Sequence, residues 1–132
     1  MNRTINREKL GFKKFEKEIN CKGHIRKMVY DKYSALLKVR SREKAFSPYA
    51  SQKIIDFGKS FFALLRGSNE NKILCIVNLS SKSRRIKGDI QKCMGARKVK
   101  DVILGRIIKE ENPLLKPFEV LWLKKVYRRL ED

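Results

Sequence analysis

Adjacent carboxylates are the first place to look for acid and base chemistry, and the chain offers two pairs, Glu110-Glu111 and Glu131-Asp132. Such chemistry needs carboxyl groups whose surroundings push their proton affinities apart. The first pair sits in a polar loop and the second in a tail, where water keeps both members ionised, so both read as solvated charge. Cys21 and His24 have the nearest thing to metal-ligand spacing, but they supply two of the four ligands a structural zinc takes. The three cysteines, Cys21, Cys75 and Cys93, form no C-x-x-C pair and imply neither a disulfide framework nor a zinc site. Cys75 lies inside an apolar run and reads as a small buried hydrophobe. The phosphate-loop, dinucleotide, nucleophile-elbow and zinc-protease signatures do not occur. No metal or cofactor is expected.

Charge offers a second kind of chemistry. The net charge is +19 in 132 residues, and clustered cations gain affinity for nucleic acid by releasing counterions from phosphates. The excess falls along the chain, from +9 over residues 1–44 to +6 over 45–88 and +4 over 89–132, without a basic tail. The densest pieces are Lys13-Lys14, Arg84-Arg85-Ile86-Lys87 and Arg128-Arg129. A broadly basic surface explains this pattern best, with any nucleic-acid contact non-specific. Phe57, Phe61 and Phe62 are aromatics near cations, but no RNA-stacking signature surrounds them, so they read as core.

The elements that would position such groups come next. A chain of this length fits one domain with one real core. Apolar residues make up 42% of it, which argues against general disorder, and no apolar run is long enough for a membrane span. Met1 is followed by polar residues rather than a signal sequence, so the expected location is the cytoplasm. Residues 1–22 suggest short helical pieces. From His24, the residues Ile25, Met28, Val29, Tyr33, Leu36 and Leu37 recur at helical spacing and predict an amphipathic helix to about Arg42. After Pro48 the texture changes to short apolar runs split by turn residues.

"KIIDF" (53–57) and "SFFALLR" (60–66) read as a hairpin, and "KILCIVNL" (72–79) as a central strand because both its faces are apolar. "SRRIKG" (83–88) reads as a weak edge strand guarded by its cations. Gln91 to Arg97 reads as irregular, and "KVKDVIL" (98–104) and "RIIKE" (106–110) flank Gly105. In "PFEVLWLKK" (117–125), Pro117 is expected at a strand start, with Phe118, Val120 and Trp122 on one face and Glu119, Leu121 and Leu123 on the other. Trp122 is the expected anchor. The fold class is therefore mainly β with an N-terminal helix, arranged as an antiparallel β-sandwich.

Several of these stretches, in this order, resemble one family. "RTINREKL" (3–10), "HIRKMVYDKYSALLKVRSREKAFSP" (24–48), "FFALLR" (61–66), "ILCIVNLS" (73–80), "DVILG" (101–105) and "PFEVLWL" (117–123) are similar to the carboxy-terminal portion of sucrose-phosphorylase-like enzymes of the alpha-amylase superfamily of glycoside hydrolases. The resemblance implies a β-sandwich of the alpha-amylase C-terminal type over residues 49–132. Residues 1–48 would be a remnant of the last helices of a (β/α)8 barrel. It implies glucosyl transfer to phosphate in the parent enzyme, by an aspartate nucleophile and a glutamate acid/base on barrel strands.

A complete barrel takes about 250 residues, so the catalytic carboxylates are not expected here and the chain alone would be catalytically silent. By motif, Arg7 matches the arginine that reaches the glucose pocket in an intact enzyme. The implied partners are the missing barrel and, through it, a sugar substrate and phosphate. The alternative is a small basic nucleic-acid-binding β-domain. A free-standing carbohydrate-binding sandwich ranks behind it, because it needs exposed aromatic platforms.

Overall fold

The computed structural model describes residues 9–127; Arg7, the residue matched to the glucose pocket, lies outside them. These residues divide into two compact units, one ending at Leu37 and the other beginning at Lys38.

The first unit holds two helices. α1 spans Phe12–Asn20, and α2 spans Ile25–Arg42, running on into the second unit. The lone histidine opens α2: its Nδ1 accepts a hydrogen bond from the Arg26 amide at 3.2 Å, satisfying one of the free donors of the first turn. The Arg26 guanidinium reaches Glu18 of α1 at 2.7 Å. Neither helix contains a buried residue. The predicted stripe is present, but Ile25, Val29 and Tyr33 are 70%, 60% and 63% exposed, so it forms no core of its own.

The second unit is built on an antiparallel sheet. Its strands are β1 (Gln52–Ile55), β2 (Phe61–Arg66), β3 (Ile73–Asn78), β4 (Arg84–Arg85), β5 (Val99–Asp101), β6 (Ile107–Ile108), β7 (Leu114–Leu115) and β8 (Val120–Lys125). Six of them form one sheet in the order β1-β2-β3-β8-β5-β6, and β4 pairs with β7 in a second, two-stranded sheet. β3 lies between β2 and β8, as its two apolar faces predict. Ala63, Ile76 and Leu121 stand in line across the sheet, and so do Leu65, Leu74 and Leu123. This face packs against Ile86, Ile90, Met94 and Leu115 in one cluster. The result is mainly β structure in two layers, compatible with a β-sandwich.

Three local expectations are corrected. Residues 91–97 are not irregular throughout, because a short helix, α3 (Ile90–Met94), occupies this stretch. Asp89 caps it by accepting from the Lys92 amide, and Gly95 ends it in the left-handed conformation. Phe118 is not in a strand. With Pro117 it forms the centre of a turn closed by the Glu119 amide on the Lys116 carbonyl at 3.1 Å, and its φ is +55°. Proline presets the first central position of such a turn and the second must go left-handed, so β8 begins only at Val120. Trp122 is half-buried rather than the core anchor. It faces away from Leu121 and Leu123 and packs on Phe46, with ring centroids 4.6 Å apart.

Two predictions follow from this packing. Leu121 is 1% exposed, and Leu121→Ala is expected to cost about 2–5 kcal/mol, read as a lower urea midpoint with an unchanged slope. Burial pushes the Cys75 thiol up from 9.0 to about 11, against a smaller lowering by Arg66. A thiol raised in the folded state contributes stability that is fully present below pH 9 and is lost as pH rises through 11. Melting temperature is expected to fall across that window in the parent chain and to fall less in Cys75→Ala.

Candidate functional site

Five of the six sequence stretches that carry the family resemblance contribute to three polar clusters, all within the second unit. In the first, Arg66 ends β2 and spreads its guanidinium over the segment that follows α2. Its Nε donates to the Ala45 carbonyl at 3.0 Å, Nη2 to the Ser47 carbonyl at 3.0 Å and Nη1 to Gln52 Oε1 at 2.9 Å. Ala45 is buried beneath it, and Glu43 holds Lys124 of β8 at 2.6 Å. Gly67 follows with φ +76°; a Cβ there would lie 2.8 Å from the Asn71 carbonyl and 3.2 Å from Ala45. Glycine is required by both the backbone and the space.

The second cluster centres on Asn78, fully buried at the end of β3. Its Nδ2 donates to the carbonyls of Lys82 (2.9 Å), Leu115 (3.3 Å) and Lys116 (2.9 Å), while its Oδ1 accepts from the Ser80 amide (3.0 Å) and hydroxyl (2.8 Å). One side chain thereby joins the two sheets and shapes the turn after β3. In the third, Asp101 of β5 is also fully buried, and its Oδ1 accepts from the amides of Ile103 and Trp122, each at 3.2 Å. Arg106 lies 3.7 Å from Oδ2 and also binds Glu119, whose other oxygen accepts the Lys116 amide at 2.8 Å. Asp101 and Glu119 thus share one arginine and bind the backbone, while Asp101 Oδ2 has that ion pair but no hydrogen bond.

The other candidates from the sequence are dispersed. Glu110 and Glu111 are exposed on the loop after β6, and Glu131-Asp132 lie outside the described residues. Cys21 and His24 face each other only through a backbone hydrogen bond of 3.2 Å. Among the described residues no group of three His, Cys, Asp or Glu side chains is placed to hold a metal ion. Phe57 is buried, as expected of core, whereas Phe62 is 47% exposed.

One concave site does gather charge. The turn between β1 and β2 and the stretch through β4 enclose a cleft of about 530 Å³, lined by Lys59, Arg84, Arg85 and Lys87, with Ser60 and Ser83 beside them. Arg84-Arg85-Ile86-Lys87 is dense positive charge in the sequence, whereas its convergence with Lys59 is made by the fold. The signal available was the hairpin glycine, Gly58, which brings the turn back towards β4.

Asn78 supplies the sharpest test of the clusters. Asn78→Asp keeps the shape but turns a double donor into an acceptor facing three carbonyls. Leaving a buried polar group so mismatched costs about 1–3 kcal/mol or more, and denaturant unfolding is expected to show at least that loss.

Comparisons with known proteins bear on this arrangement. No family model matches the chain. Glucosylglycerate phosphorylase from Spirochaeta thermophila is 37% identical over 82 residues, which are 61% of this chain and 14% of that enzyme. The chain therefore spans a small part of the curated relative's length. Among solved structures, Gan42B, a GH42 beta-galactosidase from G. stearothermophilus, is similar in a catalytic mutant at 20% identity and a TM-score of 0.40, over 76% of this chain and 12% of that one. A second structure of Gan42B gives the same values; likeness of that degree carries no weight for fold or activity. The nucleic-acid alternative gains no support from these relatives. The resemblance read from the residues and the curated relative point the same way: over those 82 residues the chain is similar to a sugar phosphorylase.

Proposed function

We propose that this polypeptide is a carboxy-terminal portion of a sugar phosphorylase of the sucrose or glucosylglycerate type, and that its β module is a scaffold of the alpha-amylase C-terminal kind. On this reading residues 1–48 are the end of a (β/α)8 barrel and residues 49–132 are the module. The observation that carries it is a match of 37% identity confined to 14% of a phosphorylase. The roles of residues in the motif stretches support it: Arg66, Asn78 and Asp101 each bind backbone groups of other segments and so fix the module's shape.

A retaining glucosyl transfer sets two carboxyl groups about 5–5.5 Å apart around an open sugar site. The two acids that come together here, Asp101 and Glu119, are occupied by Arg106. The reacting carboxylates are assigned to the barrel, and the polypeptide by itself is assigned no turnover. Sugar and phosphate would meet it only through the intact enzyme, where Arg7 would line the glucose pocket. Among the described residues no helix is long and apolar enough to cross a membrane, and the proposed site of action is the cytoplasm.

A chimera tests the reading. The 82 matched residues of the Spirochaeta thermophila phosphorylase are replaced by their counterparts from this chain, and phosphate-dependent release of glucose 1-phosphate is measured. The expected result is a folded chimera with activity within about tenfold of the parent, which is roughly 1.4 kcal/mol in the barrier, and no release by the present polypeptide alone. Turnover by the polypeptide alone, or a folded but inert chimera, would overturn it.

A further inference from the structure

The cleft beside β4 has no part in the scaffold role, and its chemistry points to a ligand. Its two walls are fastened to each other by the Lys87 amide, which donates to the Phe57 carbonyl at 3.0 Å. The stem of Lys87 lies against the turn at Gly58, whose φ of +106° favours glycine. Arg85 is held by the Asn112 carbonyl at 2.9 Å, and Asp56, the carboxylate of the lining, turns back to accept the Gly58 amide at 2.9 Å. Lys59, Arg84 and Lys87 are left without a carboxylate partner among the described residues. Three uncompensated cations converge on a recess of about 530 Å³ with two serine residues at its rim. That volume is within the ordinary range for small-molecule sites.

We propose that this cleft binds a small ligand carrying two or more phosphoryl groups. Compact phosphoryl oxygens match the arginine fork and the ammonium groups at short range, and hydroxyl donors complete their coordination. A single monoanion would leave most of the converging charge unanswered. The site is open to solvent, so binding is expected to weaken with added salt.

The test is a titration of the ¹⁵N-labelled full chain with pyrophosphate, with citrate as a carboxylate of similar charge and inorganic phosphate as the single-phosphoryl control. The expected result is amide shifts concentrated at residues 58–60 and 83–87, and tighter binding of pyrophosphate than of either control. Arg84→Gln with Lys87→Gln is expected to weaken pyrophosphate by about tenfold or more, as loss of charge-assisted hydrogen bonds does. Lys98→Gln with Lys109→Gln removes the same charge at the β5–β6 side of the sheet and should change affinity by less than about twofold. Both pairs are exposed, and melting curves check that the fold is kept. Shifts scattered over the surface, equal weakening by the two double variants, citrate binding as tightly as pyrophosphate, or no saturable shift would each overturn the proposal.

Discussion

The grip of Arg66 on the chain that leaves α2 is the constraint around which the β unit is arranged. An arginine can make three directed bonds from one rigid plane; here two go to the backbone carbonyls of Ala45 and Ser47 and one to Gln52. That fixes where the segment crosses β2, and at Gly67 the Ala45 backbone comes close enough that a side chain would not fit. Phe46 is then delivered onto Trp122, and Glu43 onto Lys124. The far face of the sheet thus receives its cover from the connection to the helix, while Leu121 and Leu123 look inward to the other layer.

Polar groups do as much of this work as apolar ones. Asn78 and Asp101 are fully buried, and Asn78 and the Oδ1 of Asp101 bind carbonyls or amides from segments distant in sequence, while Asp101 Oδ2 has only the Arg106 ion pair. Such groups are costly to bury unless bonded, and each here binds at the junction of strands that hydrophobic contact alone would leave free to slide. This is what gives sequence motifs such as "FALLR", "IVNLS" and "DVILG" a physical meaning independent of any active site.

Much of the strand layout was legible because short strands announce themselves by apolar content and bounding turn residues. "KILCIVNL" is the clearest instance, being apolar on both faces and lying between two neighbours. α3 was equally encoded, by Asp89 in front and Gly95 behind, but five residues are too few for a helical repeat to show. Phe118 went astray because proline followed by a β-former reads as a strand start, whereas tertiary closure through Lys116 and Glu119 selects a turn. The basic cleft was half visible: Arg84 and Lys87 stand together in the sequence, but Lys59 is more than twenty residues away and joins them only through the hairpin. What Arg66 holds could not be read at all, since its principal partners are backbone carbonyls, which every residue possesses.

The hub at Asn78 also bears on how the molecule ages. Asparagine loses ammonia when the amide nitrogen of the next residue attacks its side chain, and the product here would be the misfitting aspartate. That nitrogen, on Leu79, is donating to the Ser60 carbonyl at 2.8 Å, and the side chain itself is pinned by its carbonyl partners. The folded state therefore withholds the nucleophile from this amide, and deamidation at Asn78 itself becomes a chemical record of the time each molecule has spent unfolded.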